Sequence, residues 1–111
     1  MNNEEPAEEI SVTALRDCLK KGPKPLLIDV RQPEEAAICA LPDSHLIPLG
    51  DVPQRTGEIP RETAVVVYCH HGVRSLRAVH WLRERGWPKV QSLKGGIDGW
   101  ALEVNPSMRR Y

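Results

Sequence analysis

Ala64-Val65-Val66-Val67-Tyr68-Cys69-His70-His71-Gly72-Val73-Arg74-Ser75-Leu76-Arg77 is the stretch on which the fold of this chain is decided. An apolar β-branched run, Ala64–Tyr68, has the composition and length of a buried strand. It stops at Cys69, passes through a short loop with a glycine, and enters a helical pattern over Arg74–Arg85, whose Leu76, Val79 and Leu82 face inward with Ala78 and Trp81 beside them, while Arg77, Arg83, Glu84 and Arg85 face water. Strand, short loop, helix is the layout that gathers backbone N–H groups around an anion. A cysteine at the mouth of such a loop is a candidate nucleophile.

The same alternation continues on both sides. Upstream, Glu9–Val12 reads as a short strand, Thr13 as an N-cap, and Leu15, Cys18 and Leu19 as the apolar stripe of a helix that Gly22-Pro23 stops. Leu26–Val30 is a second buried strand. Pro33 opens a helix with Glu34 and Glu35 at the positive end of its dipole, and Pro42 prevents it from continuing. His45–Leu49 reads as an edge strand or extended segment, and Gly50–Ile59 as polar with at most one helical turn. Downstream, Gly86 and Pro88 close the long helix, Val90–Leu93 is the last strand, Gly95-Gly96 a turn, and Ile97–Leu102 a short helix carrying Trp100. Strands alternating with helices predict an α/β fold on a parallel sheet. Right-handed crossovers then bring the C-terminal ends of the strands, Cys69 among them, to one edge.

The 111 residues suit one domain, and 41% of them are hydrophobic, enough for a core. With no Phe, that core is aliphatic, and Trp81, Trp87 and Trp100 are its large pieces. The net charge of +0 argues against a nucleic-acid or membrane-surface protein. Charge is nonetheless uneven: the half carrying Cys69 is the basic one, and Cys69–Arg77 holds two Arg, two His and no acid. No apolar run is long enough to span a bilayer, and no apolar leader precedes the polar, acidic start. Cys18, Cys39 and Cys69 form neither an even disulfide set nor a Cys-x-x-Cys pair, which points to free thiols in the reducing cytoplasm. Cys18 and Cys39 read as core packing.

The chemistry concentrates in the loop. His70, His71, Gly72 and Val73, with Arg74 and Ser75 entering the helix, can turn successive N–H groups toward the Cys69 sulfur. The helix dipole adds to that field, and both favour negative charge on sulfur. Gly72 allows a tight turn or a close approach, and Arg74 offers a fork of donors for an oxyanion. Adjacent histidines point in different directions and have no evident third ligand, so no metal and no cofactor is expected. Asp29 and Arg31 bracket the end of the Leu26 strand and read as braces for neighbouring loops. Gly95 and Gly96 follow the last strand and reach the same edge as a wall beside Cys69.

These pieces together resemble a single-domain rhodanese, a sulfurtransferase: Leu27-Ile28-Asp29-Val30-Arg31 with Pro33-Glu34, Ile47-Pro48-Leu49, Val67-Tyr68-Cys69-His70-His71-Gly72-Val73-Arg74-Ser75, and Leu93-Lys94-Gly95-Gly96-Ile97-Asp98-Gly99-Trp100. They run in the family's order. The resemblance implies a central parallel five-stranded sheet with helices on both faces, formed by residues 9–102 between a flexible acidic segment, 1–8, and a tail, 103–111. It implies that Cys69 is catalytic, accepting a sulfane sulfur from a small anionic donor such as thiosulfate and passing it from a persulfide to a thiol or a sulfur-carrier protein. His70, His71, Gly72, Val73, Arg74 and Ser75 would bind substrate. A phosphatase or arsenate reductase on the same fold is one alternative, but related phosphatases place the arginine six positions after the cysteine; here Arg74 is five after Cys69, one residue short for a tetrahedral oxyanion. A non-catalytic interaction module is the other alternative. The chain departs from the family at Ala40–Leu46, where many members have His-Ile-x-Gly-Ala. Its tail, Asn105–Tyr111, is similar to the ending of rhodanese domains attached to ubiquitin-activating-like enzymes, a pointer to sulfur-carrier partners.

Overall fold

In a computed structural model that describes residues 5–111, the β-branched run forms a central strand, β4 (Val65–Tyr68), all four residues of which are buried. Around it, in chain order, lie β1 (Glu9–Ile10), α1 (Val12–Lys21), β2 (Leu26–Asp29), α2 (Pro33–Ile38), β3 (His45–Leu46), α3 (Val73–Glu84), β5 (Val90–Leu93) and α4 (Gly96–Glu103). The strands make one five-stranded sheet in the order β1-β5-β4-β2-β3, with every pairing parallel. Among the described residues no helix is long and apolar enough to cross a membrane.

Alternation along β4 sorts the core into two layers, because successive strand side chains point to opposite faces. Val65, Val67 and Cys69 join Ile28, Val30, Ala78, Val79, Leu82 and Trp87 beneath α3. Val66 and Tyr68 join Val12, Leu15, Leu27, Leu93, Ile97 and Trp100 beneath α1 and α4. Each Val, Leu or Ile fully buried in this way contributes about 1.5–3 kcal/mol of transfer free energy. Helices on both faces leave the strand ends open at one edge, so the residues after Asp29, Tyr68 and Leu93 converge there.

Several expectations are corrected. Ser11, not Thr13, caps α1: its Oγ accepts the Ala14 N–H at 3.1 Å. The buried stripe of that helix is Val12 and Leu15, with Leu19 half-buried, and Cys18 falls off it and is exposed. The 50–59 segment is more ordered than a single turn. Two 3-10 stretches, Leu49–Gln54 and Thr56–Glu58, bury Val52 and, just beyond them, Ile59 against the α3 side of the sheet. Trp81 is only half-buried. Arg83 does not face water: it donates to the Val90, Pro6 and Ala7 carbonyls. Of the acidic 1–8 segment, residues 1–4 lie outside the described residues, while the Glu8 carbonyl accepts the Ser92 N–H at 2.8 Å. In the departing loop, Leu41 is buried and donates its N–H to the Tyr68 hydroxyl, which also bonds Ser44.

Candidate active site

Helix α3 begins where its sequence has no side-chain cap. Its N-cap is Gly72, and the donors of the first turn, which any helix leaves without intrahelical partners, need something to bind. That partner is the Cys69 sulfur. The Gly72 N–H reaches Sγ at 3.1 Å and the Ser75 N–H at 3.4 Å, so the thiol group itself terminates the helix. Two amides and the positive end of a 12-residue helix thus converge on one buried sulfur. The amides of Val73 and Arg74, next in the first turn, remain for an incoming anion.

Gly72 is required for this curl. It sits at φ +105°, and a Cβ there would stand 3.3 Å from the Gly95 N and 3.4 Å from the Leu93 O. Gly96 is the other obligatory glycine: at φ +63° it lies against the backbone of Cys69 and His70, with no room for a Cβ. This close approach lets α4 hold the loop from below. The Ile97 N–H donates to the Cys69 carbonyl at 2.9 Å and the Asp98 N–H to the His70 carbonyl at 3.1 Å.

A hydroxyl pair lies beneath the sulfur. Cys69 Sγ and Ser75 Oγ are 3.5 Å apart, Ser75 Oγ donates to the Gly72 carbonyl at 3.2 Å, and Ser75 and Ser92 hydroxyls are 2.7 Å apart. Both serines are buried. A hydroxyl can accept from a thiol and, on rotation, donate to a thiolate, so the pair can serve either state of the sulfur. Ser92 escaped the sequence reading; in Val90-Gln91-Ser92-Leu93 it stands beside another polar residue, and nothing local marks it as the buried one.

Asp29 and Arg31 are buried beside the loop and joined at 2.9 and 2.8 Å. All five Arg31 N–H groups are used, the remaining three on the Glu35 carbonyl, the Cys39 carbonyl and the Tyr111 hydroxyl. Arg74 is not turned wholly toward the sulfur. Its Nη1 and Nη2 each donate to one Glu35 oxygen at 2.8 Å, leaving three N–H groups without a hydrogen bond among the described residues. This fork, set against some burial, holds the Glu35 carboxyl down at about 2 and raises Arg74 above its ordinary value. Glu35 also accepts the Tyr111 hydroxyl at 2.8 Å, and burial pushes that phenol up to about 12.

His70 is half-buried, its ring stacked between those of His71 and Tyr111 at 3.9 Å from each. Burial, and then the neighbouring His71, lower its pKa, and its Nε2 is buried without a hydrogen-bond partner. His71 and the Val73 side chain are exposed. His70, His71 and Asp98 offer ligand atoms within 4.8 Å of one another, a set that could hold a divalent ion, but Arg110 occupies both Asp98 oxygens at 2.8 and 3.2 Å. Glu35, Asp98, Arg110 and Tyr111 were not among the sequence-derived site residues.

Comparison with known proteins agrees with this fold. A family model described as Rhodanese-like domain matches residues 11–103. A protein named sulfurtransferase from Allochromatium vinosum is 39% identical over 88% of this chain and 92% of its own length. The probable adenylyltransferase/sulfurtransferase MoeZ of Mycobacterium tuberculosis is 36% identical over 92% of this chain but only 26% of its own length. Among solved structures, a rhodanese-related protein from Thermoplasma volcanium superposes with a TM-score of 0.81 at 28% identity, covering 90% of this chain and 96% of that one. The human single-domain sulfurtransferase TSTD1 superposes with a TM-score of 0.77 at 26% identity, covering 88% and 98%.

Proposed function

The chain belongs to the rhodanese-like domain family, with sulfurtransferases among its relatives, and on that premise we propose that Cys69 is a catalytic nucleophile that carries sulfur as a persulfide. The observation that carries this reading is the pair of N–H groups, from Gly72 and Ser75, aimed at Cys69 Sγ from the first turn of α3. Donors fixed in advance around the place where negative charge sits need no rearrangement during the reaction.

In the first half-reaction the Cys69 thiolate attacks the outer sulfur of a donor such as thiosulfate. A bond forms between Sγ and that sulfur, the S–S bond of thiosulfate breaks, and sulfite leaves with the electron pair. The terminal sulfur of the persulfide is then the anion, one atom further out than Sγ. The Val73 and Arg74 amides and the three unused N–H groups of Arg74 are the donors that would meet it. In the second half-reaction an acceptor thiolate, or cyanide, attacks the terminal sulfur, and Cys69 leaves as the thiolate that the loop stabilises. The loop length supports a single added sulfur over a phosphoryl group, because Arg74 stands five positions after Cys69.

The proposed partners are a small anionic donor and a thiol or sulfur-carrier acceptor, in a reducing compartment where Cys69 stays free. The test is mass spectrometry of the Cys69 peptide after incubation with thiosulfate, followed by addition of cyanide. The expected result is a gain of one sulfur, removed by cyanide with release of thiocyanate and absent in Cys69→Ser. No added sulfur and no thiocyanate above the Cys69→Ser control, across several sulfane donors, would overturn the proposal.

A further inference from the structure

The tail supplies a side chain to the site. Tyr111 lies beside the loop, against His70, Glu35 and Arg31. Its ring stacks on His70, the residue after the nucleophile, with the planes 10° apart. Its hydroxyl donates to Glu35 Oε1 at 2.8 Å and accepts from Arg31 Nη1 at 3.0 Å. Glu35 in turn holds both ends of the Arg74 guanidinium. A continuous chain therefore runs Asp29–Arg31–Tyr111–Glu35–Arg74, from a fully buried ion pair to the cation at the start of α3. The tail is tied down on the way by Arg110 on Asp98 and by Met108 packed in the core beneath α4.

We infer that Tyr111 is a positioning residue for anion binding at the Cys69 loop, a role that rests on the sulfur-transfer reading of that loop. The anchor in this chain is Arg31, which has no freedom because all five donors are engaged and the side chain is buried. Glu35 and Arg74 are different: their side chains are 20% and 33% exposed, and beyond their mutual fork the carboxylate is held by the Gln32 N–H on Oε2 at 3.0 Å, a bond to the start of its own helix, and by the Tyr111 hydroxyl on Oε1. The Tyr111 hydroxyl is the side-chain bond that fastens the pair to the anchor, and its ring holds His70 from the same side. With the hydroxyl in place, Arg74 presents its three unused donors in a fixed direction before any anion arrives. Without it, that ordering has to be achieved during binding, and the cost appears in affinity. Because the Cys69 sulfur and the amides on it are not touched by Tyr111, the chemical step itself is left alone.

The experiment compares the full chain with Tyr111→Phe, which keeps the ring and loses the hydroxyl, and Tyr111→Ala, which loses both. One readout needs no sulfur chemistry: the concentration of bromide, a single-atom anion, that halves the rate of iodoacetamide alkylation at Cys69 at constant ionic strength, followed on the Cys69 peptide so that Cys18 and Cys39 do not contribute. The other is KM and kcat with thiosulfate. In Tyr111→Phe both the half-protecting bromide concentration and KM rise roughly three- to tenfold, the scale of one net hydrogen bond, with kcat within twofold. Tyr111→Ala exceeds that, and phenylalanine recovers the share due to stacking. A purely structural role would lower the melting temperature while leaving bromide protection and KM of the folded protein within twofold in both variants, and that result overturns the inference. If the unaltered protein takes no sulfur from any donor, the sulfur-transfer reading fails, and the bromide readout alone still decides the role of Tyr111.

Discussion

Replacing Gly72 by alanine tests the cradle at its tightest point. Two costs can be worked from the structure. An L-residue at φ +105° carries about 1–3 kcal/mol of backbone strain. The new methyl meets the Gly95 N at 3.3 Å and the Leu93 O at 3.4 Å, both backbone atoms of the β5–α4 turn, which cannot rotate aside. Relief comes only if the 69–75 loop shifts away from that turn, and the Gly72 N–H then leaves the sulfur it now meets at 3.1 Å. A hydrogen bond to a charged group is worth about 1.5–3 kcal/mol, so a reaction that needs the thiolate slows roughly ten- to a hundredfold. The assay is single-turnover addition of sulfur to Cys69 at saturating thiosulfate, at a temperature where calorimetry shows the variant folded. Two results would refute the reasoning. A melting temperature equal to that of the parent would mean that neither strain nor contact is real. A lowered melting temperature with the rate within threefold of the parent would mean that the Gly72 amide does not support the nucleophile.

Arg31→Met should be the most damaging single change at the strand edge, about 3–5 kcal/mol by chemical denaturation, because it strands the buried Asp29 carboxylate; a loss under 1 kcal/mol would contradict the buried network. Ser92→Ala removes the 2.7 Å partner of Ser75 and should slow sulfur loading about three- to tenfold with KM unchanged, measured by stopped turnover. Glu35 predicts a pH dependence: its folded pKa of about 2 lies below the ordinary 4.5, so its contribution is complete above about 4.5 and fades as pH falls toward 2. Between those limits the unfolding free energy of the parent, taken from urea melts, should fall more steeply than that of Glu35→Gln, by an amount on the order of 2 kcal/mol after allowance for partial exposure; parallel curves would refute the pairing.

What could be read from the sequence follows from how local the signal is. The strand over 64–68, the glycine at the turn and the helix after it are encoded within a dozen consecutive residues, so the candidate nucleophile and the amides that meet its sulfur were visible at once. The parallel sheet was equally visible, because short apolar strands alternate with helices and leave few other topologies. The α1 cap was misplaced because Ser11 and Thr13 are both good caps, and only the Ser11 Oγ to Ala14 N–H bond distinguishes them. Assigning Val12 to the preceding strand hid the first residue of the inward face, which runs Val12, Leu15, Leu19 and leaves Cys18 exposed. The 3-10 segments at 49–58 have neither a period of two nor of 3.6, so their burial of Val52 left no pattern. Glu35 and Tyr111 were missed for a stronger reason. Their hydrogen bond joins residues 76 apart in the chain, and nothing local to either position anticipates it.

That division has a consequence for how the site works. The local part supplies the groups that touch sulfur, and the long-range part decides where those groups point. Arg74 shows the difference. Its place in the sequence marks it as a donor for an anion, yet in the fold its charge is already matched by Glu35, so it cannot act as a bare cation attracting any anion. A neutralised guanidinium with three directed N–H groups discriminates by geometry more than by charge, because an anion has to sit where those donors and the Val73 and Arg74 amides meet. That suits a loop whose resident anion, in the proposed cycle, is a single terminal sulfur of fixed position on Cys69. A bare cation would also hold sulfite, the leaving group, after the first half-reaction. In that cycle the Glu35 fork would favour release of sulfite over tight anion binding, which gives an acid a place beside a site that otherwise collects positive charge.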